Sequence, residues 1–216
     1  MWGAAPSLSQ VVTAIELLLR ELPRAPRRRE GWDDKYEGGE PPWFTETLDE
    51  DIAEILRGVG GGRLLDLGAG PGTLAIFAAD HGFEVTALDT SGAALALARK
   101  RADKRSIAWV LGDVLDPPPL AEFDVATDRG CLHCLPRSEW PRYAATMARA
   151  VRRGGLLILK EHAPEEGGKH GTSPPSAEEL AEILGPAFAM KQWRASTFAG
   201  KIAPAPSAIL SVWVRQ

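Results

Sequence analysis

Cysteine is scarce: Cys131 and Cys134 are the only two in 216 residues. That excludes a disulfide-built fold and favours a reducing compartment. Excess charge is lacking too, since 25 Lys and Arg against 29 Asp and Glu leave a net −4. No overall basic field would draw the molecule onto nucleic acid or an anionic membrane. Long apolar runs are also missing. The stretch from Val11 to Leu22 is broken by Glu16 and Arg20 and has neither a basic leader nor a small-residue cleavage site, which argues against a signal peptide and a membrane span. A cytoplasmic protein with no nucleic-acid or membrane partner is expected, and its oligomeric state is left open.

What is present suits one globular domain with modest additions: 44% hydrophobic and 25% charged residues, enough to bury a sizeable core. Leu8, Val11, Val12, Ile15, Leu18, Leu19 and Leu22 recur at three- and four-residue steps behind a capping box of Ser7 and Gln10, and predict an amphipathic helix stopped by Pro23. The run from Pro23 to Glu30, with four arginines and two prolines, reads as a solvated linker. From Glu30 to Phe44 neither period is visible, so an irregular segment is expected. Thr45 is placed to cap a helix running through Leu56.

After Gly60, Gly61 and Gly62 short apolar runs alternate with helical stretches. The runs are Arg63 to Leu67, Glu84 to Leu88, Ile107 to Leu111, Phe123 to Thr127 and Leu156 to Leu159. The helices are Thr73 to His81, Ala93 to Ala102, Pro141 to Val151, and Ala177 to Leu184 behind a capping box of Ser176 and Glu179. Such alternation predicts parallel strands joined by right-handed crossovers, a doubly wound α/β sheet with helices on both faces. Two further runs, Ala189 to Phe198 and Ala208 to Val214, have no helix between them and are expected to pair as an antiparallel edge hairpin.

The densest chemistry is LLDLGAGPG, residues 64 to 72, between the first buried run and the first crossover helix. Glycines at 68, 70 and 72 permit a tight turn and close approach of backbone to a ligand at the sheet's carboxyl edge. A dinucleotide fingerprint spaces its glycines G-x-G-x-x-G; here the third comes one residue early and Asp66 stands just before, which counts against a nicotinamide oxidoreductase. Asp89 ends the second strand, where such folds place an acid to take both ribose hydroxyls; it is equally a cap for the helix after Ser91. Asp113, in GDVLD, is either a turn residue or an acceptor for an exocyclic amine, with the Val114 backbone set to meet a ring nitrogen. Together these acids and the glycine loop point to a nucleoside-binding edge.

In DLGAGPG, VTALD, GDV and FDVATDRG, from Leu64 to about Lys160, the chain resembles the class I S-adenosylmethionine-dependent methyltransferases. The resemblance implies S-adenosylmethionine as cofactor, with contacts from Asp66, Gly68, Ala69, Gly70, Gly72, Asp89, Thr90, Asp113, Val114 and Asp128. It also implies a seven-stranded sheet of order 3-2-1-4-5-7-6. Residues 60–216 would form the Rossmann-like core, and residues 1–59 N-terminal helices and a covering segment of the same domain. Within that family, WDDKY (32–36), PPWF (41–44) and DRGCLH (128–133) are similar to the small-molecule branch that includes thiopurine, thiol, halide and tellurite enzymes; Phe44 departs from it, many relatives having a polar residue there. This implies substrate contacts from Trp32, Trp43, Phe44 and Arg129, and a lid role for the aromatic segment.

His133, five residues past Asp128, is a candidate general base because its ordinary pKa lies near neutrality, or else a packing histidine. Arg129 either holds an anionic substrate or pairs with Asp128 or Asp124. Glu161, His162 and His170 read equally well as solvated loop. The C-x-x-C of Cys131 and Cys134 lacks the four ligands of a zinc site, so no metal is expected. Trp140, Trp193 and Trp213 read as packing. The expected function is methyl transfer to a small acceptor, a thiol or other soft nucleophile; the alternatives are O- or N-methylation of a small metabolite or natural product, or a cofactor-binding module without turnover.

Overall fold

The computed structural model describes residues 28–120, 122–166 and 173–216; the helix expected over Leu8 to Leu22 and the loop residue His170 lie outside the described residues. After two helices, α1 (Arg28–Glu37) and α2 (Glu50–Val59), strand and helix alternate as expected. They are β1 (Gly62–Leu67), α3 (Thr73–Asp80), β2 (Phe83–Asp89), α4 (Gly92–Ala102), β3 (Ile107–Leu111), β4 (Phe123–Arg129), α5 (Trp140–Ala150) and β5 (Val151–His162). Helix α6 (Ala177–Leu184), β6 (Phe188–Thr197) and β7 (Ser207–Arg215) complete the chain. The seven strands form one sheet of order β3-β2-β1-β4-β5-β7-β6. Its first five strands pair in parallel, and β7 runs antiparallel to both β5 and β6.

Strand β1 shows why the runs are continuously apolar. Leu64 packs on one face with Ile52 and Leu56 of α2 and Ala75 and Ala78 of α3. Leu65 and Leu67 point to the other face, with Tyr143 and Met147 of α5, Leu180 of α6 and Trp213 of β7. A central strand covered on both sides has no position at which a polar residue would meet water. Gly72 closes the same region: its φ is +80°, and a Cβ there would stand 2.7 Å from the Trp109 ring and 3.0 Å from Ala98. It is a packing glycine between α4 and β3. Helix α6 carries the expected reciprocal cap between Ser176 and Glu179. No helix among the described residues is long and apolar enough to cross a membrane.

Three expectations are corrected. The stretch from Glu30 to Phe44 is not wholly irregular: α1 occupies Arg28–Glu37. Of its residues from Gly31 on, only Trp32, Asp33 and Tyr36 turn inward, too few for an apolar period to show. Thr45 does not cap the next helix. Its hydroxyl donates to Thr47 O at 2.7 Å and α2 starts at Glu50 behind Asp49, whose side chain makes no cap bond. Finally, Glu161 and His162 are not in a solvated loop. Strand β5 runs through His162, and both residues are buried.

Candidate active site

The carboxyl ends of β1 to β5 open onto a cavity of about 290 Å³, also lined by α1, the turn from Pro42 to Thr45, and the segment from Phe198 to Gly200. Of the residues singled out in the sequence, Trp32, Trp43, Phe44, Asp66, Gly68, Ala69, Gly70, Asp89, Thr90, Asp113, Val114, Arg129 and His133 all line it. Gly72 and Asp128 do not. The Asp128 carboxylate accepts from Cys131 N at 2.6 Å, Leu132 N at 3.1 Å and Tyr143 Oη at 2.8 Å, and so shapes the turn after β4.

The glycine loop is tight for stated reasons. Gly68 has φ +60°, and a Cβ there would lie 2.9 Å from Cys131 Cβ; Gly70 has φ +52°, and a Cβ would lie 3.0 Å from the Tyr36 hydroxyl. Asp66 stands below the loop, 2% exposed. Its Oδ1 accepts from Thr127 Oγ1 at 3.3 Å, while buried Oδ2 receives no hydrogen bond. Burial, then the neighbouring Asp128 and Asp89, pushes the Asp66 carboxyl up to about 8. Asp89 accepts from Gly70 N through Oδ2 at 2.7 Å and from Ser91 N through Oδ1 at 2.8 Å. The helix cap itself is Ser91, whose Oγ accepts from Ala94 N at 3.0 Å. Asp113 Oδ1 accepts from Leu115 N at 2.9 Å, leaving its other oxygen without a local donor among the described residues.

These residues fit S-adenosylmethionine. Each carboxylate oxygen accepts two hydrogen bonds, so Asp89 keeps capacity for a diol. Asp66 offers a buried acceptor to an ammonium, and the glycines leave space that a side chain would fill.

The covering helix is fastened to this edge. Asp33 Oδ1 accepts from Ser91 Oγ at 2.6 Å and Ala93 N at 3.0 Å, placing a carboxylate at the α4 N-terminus, where the helix dipole favours it. The Trp43 indole donates to Tyr36 Oη at 3.3 Å and meets Trp32 edge-on at 6.0 Å. Phe44 is buried with Arg101 at 4.7 Å and Lys201 at 5.4 Å from its ring. Tyr36 was not singled out in the sequence, although it closes WDDKY and stands four residues after Trp32.

On the far wall, Arg129 pairs with Asp49 and donates to Ala199 O at 2.6 Å, not to Asp128 or Asp124. Burial tends to raise Asp49, but Arg129, Ala199 N and Lys160 together hold it below the usual carboxylate range. Buried Lys160 donates to Asp49 Oδ1 at 2.9 Å and Asp51 Oδ1 at 2.8 Å. His133 sits with Nδ1 2.8 Å from Glu161 Oε2 and its ring 4.6 Å from that of His162. Burial pushes its pKa down to about 4. Cys131 and Cys134 also line the cavity; they are free thiols, and burial raises both, Cys134 to about 12. Among the described residues no cluster of His, Cys, Asp and Glu is arranged to hold a metal ion.

Residues 64–155 match the profile of a methyltransferase domain. The chain is similar to the 2-heptyl-1-hydroxyquinolin-4(1H)-one methyltransferase of Mycobacteroides abscessus, 27% identical over 65% of this chain and 66% of the relative. It is also similar to the ubiquinone biosynthesis O-methyltransferase of Alkalilimnicola ehrlichii, 36% identical over 50% of this chain and 44% of the relative. The chain thus spans about half to two thirds of the length of these curated relatives. In fold it resembles the N-methyltransferase NodS from Bradyrhizobium japonicum solved with S-adenosyl-L-homocysteine: TM-score 0.73, 16% identity, 88% of this chain and 99% of the other. A structure solved in work on the conversion of a disulfide bond into a thioacetal group during echinomycin biosynthesis superposes with TM-score 0.77 at 24% identity, covering 88% and 92%.

Proposed function

We propose that the chain, whose residues 64–155 match a methyltransferase domain, is a class I S-adenosylmethionine-dependent enzyme that moves the methyl group of that cofactor onto a small aromatic or heteroaromatic acceptor. One observation carries the reading: the Asp66, Asp89 and Asp113 edge with its glycine loop opens into a single cavity whose outer wall is Trp32, Trp43 and Phe44. Asp66, Gly68, Ala69 and Gly70 are assigned to the methionine part, Asp89 and Thr90 to the ribose, and Asp113 and Val114 to the adenine. Gly72 and Asp128 support the loops. Trp32, Trp43, Phe44, Arg129 and His133 face the acceptor. In this assignment residues 60–216 are the transfer core and the described part of 1–59 covers it.

The bound cofactor supplies an activated methyl on a good leaving group. The chain then supplies alignment and exclusion of water, worth up to about 7 to 11 kcal/mol in well-oriented systems. Arg129 is already neutralised by Asp49, and the outer wall is mainly aromatic, with Lys35 lying 4.0 Å over the Trp32 ring, which suits a flat acceptor. The names of the relatives, a hydroxyquinolone and a ubiquinone-biosynthesis methyltransferase, support a ring-borne hydroxyl. WDDKY, PPWF and DRGCLH support the thiol and halide branch as a second reading.

S-adenosylhomocysteine at about 100 times its dissociation constant should stabilise the fold by roughly 2.7 kcal/mol, a melting rise on the order of 5 to 10 °C, and NAD should not. The reverse pattern in a thermal-shift assay overturns the assignment. Asp66 sharpens the test. Its raised folded pKa means that the neutral acid is the apo form, so its contribution to apo stability is full below the ordinary carboxyl pKa and is lost as pH rises through about 8. An incoming ammonium reverses that preference. Binding near pH 7 should therefore release up to about one proton, seen as a calorimetric enthalpy that varies with buffer ionisation heat. Asp66→Asn should abolish the release; an enthalpy independent of buffer in the wild type would place the ammonium elsewhere.

A further inference from the structure

His133 has been treated so far as a base or a packing residue, yet the groups around it fix which ring nitrogen carries its proton. The amide N–H of His162 donates to Nδ1 at 3.2 Å, so Nδ1 holds a lone pair. Glu161 Oε2 lies 2.8 Å from the same Nδ1. Two lone pairs do not face each other at that distance, so the hydrogen between them belongs to Oε2. That oxygen also accepts the His133 amide N–H at 3.0 Å, as a carboxylic acid hydroxyl can. Glu161 Oε1 is buried and receives no hydrogen bond among the described residues, tolerable for a neutral acid and costly for a carboxylate. The other buried carboxyl of the region, Asp128, accepts three hydrogen bonds, although burial and the facing Glu161 push it, too, well above the ordinary carboxylate range.

A neutral imidazole whose Nδ1 holds a lone pair has its single N–H at Nε2. Among the described residues Nε2 makes no hydrogen bond. The edge bearing it is left open by Gly130, where a Cβ would lie 2.8 Å from Cε1 and 3.2 Å from Nε2, and both residues line the cavity. We propose that His133 faces the acceptor with an Nε2–H donor, held in that tautomer by Glu161 and the His162 amide, so that the site takes acceptors that enter as anions: thiols, and hydroxyls as acidic as those of N-hydroxy heteroarenes or electron-poor phenols. The inference rests on the proposed methyl transfer. An anionic acceptor atom uses its own electron pair to bond the methyl carbon, the sulfonium carbon–sulfur bond breaks with its pair returning to sulfur, and no proton is left to remove. His133 keeps its proton throughout.

The groups facing this pair are Asp128 and Arg129 at the end of β4, Cys131 and Cys134 in the turn that follows, Tyr143 on α5 and His162 on β5. Burial dominates over all of them, keeping His133 down at about 4 and Glu161 up at about 8. Both are neutral between those values. Above about 8, Glu161 gives up its proton to solvent, the single imidazole hydrogen shifts from Nε2 to Nδ1 to face the carboxylate, and the donor toward the cavity is lost.

The test uses the full chain with S-adenosylmethionine and a panel of thiols and hydroxy-arenes graded in acidity. Turnover at pH 7 should fall about tenfold for each unit by which the acceptor pKa exceeds the assay pH, and should fall again above pH 8. Glu161→Ala, which frees the tautomer, should lose about 100-fold or more. Glu161→Gln, whose amide N–H can donate to Nδ1 only by giving up the acceptor of the His133 amide, should recover part of that and remove the alkaline fall, a change of pH profile that a merely structural role would not give. Nitrogen-15 spectra of labelled histidine, with His133→Gln to identify the signal, should show the Nε2–H tautomer at pH 7. The Nδ1–H tautomer at pH 7, or an alkaline fall that persists unchanged in a Glu161→Gln protein that still binds S-adenosylhomocysteine, overturns the proposal. Failure of the wild type on every acceptor would instead sink the proposed function, and the spectrum would still decide the donor assignment.

Discussion

Asp89→Ala should weaken S-adenosylhomocysteine binding by about 30- to 1,000-fold while leaving the protein folded. The carboxylate does two things at once. It ties Gly70 N and Ser91 N, joining the glycine loop to the turn after β2, and its remaining lone pairs face the cavity. Charge-assisted hydrogen bonds contribute about 1.5 to 3 kcal/mol each. Losing a diol contact and slackening the loop therefore removes on the order of 2 to 4 kcal/mol, where 1.4 kcal/mol is tenfold. Asp89→Asn, which keeps one acceptor oxygen, should fall between the two. Calorimetry beside circular dichroism measures both quantities, and an affinity equal to wild type for Asp89→Ala would leave Asp89 as a fastener of the loop alone.

Asp89 was readable because everything that placed it is local. Short apolar runs fix the strands, a strand's last residue stands at the carboxyl edge, and a parallel doubly wound sheet collects those edges on one side. The same logic located Asp66, Asp113 and the glycine loop, and the sheet order matches the expected 3-2-1-4-5-7-6. The reading was weakest where an element is defined by what it docks against. Helix α1 hides because Asp33 and Tyr36 meet partners 58 and 34 residues away, in Ser91 and Gly70, and no apolar period records such contacts. The length of β5 hides for the opposite reason. Lys160, Glu161 and His162 are polar, so the apolar run ends at Leu159, yet the strand carries all three inward, where they meet Asp49, Asp51 and His133.

The same limit explains the misplaced arginine pair. Asp124 and Asp128 are close to Arg129 in sequence, but residues on a strand alternate between faces. Asp128 is turned into the loop after β4, and Asp124 is engaged by Arg63 N and Arg152. Arg129 therefore reaches Asp49 at the head of α2, 80 residues back.

The largest stability effect should come from this buried ionic cluster. Lys160 is 1% exposed and its ammonium lies within 3.1 Å of Asp49 Oδ1 and of both Asp51 oxygens. Asp49 is itself 4% exposed and also holds Ala199 N at 2.8 Å, and Ser196 Oγ donates to Asp51 at 2.5 Å. One lysine thus ties the head of α2 to β5, and through its two acids to β6 and the segment that walls the cavity. Lys160→Met keeps the volume of the stem and removes the charge, leaving Asp49 with Arg129 and Ala199 N and Asp51 with only the neutral donors Ser196 Oγ and Ile52 N. Breaking one partner out of a buried ion pair costs about 3 to 5 kcal/mol, which for a chain of this size lowers Tm by roughly 6 to 20 °C. The loss comes from a carboxylate left without its cation and not from a lost attraction as such, so adding Asp51→Asn to Lys160→Met, which rebalances the cluster and keeps the Arg129–Asp49 pair, should recover a large part of it. A single variant melting within about 2 °C of wild type would mean that water reaches the acids once the lysine is gone. A double variant no better than the single one would mean that packing of the lysine stem, not charge, holds α2 to the sheet.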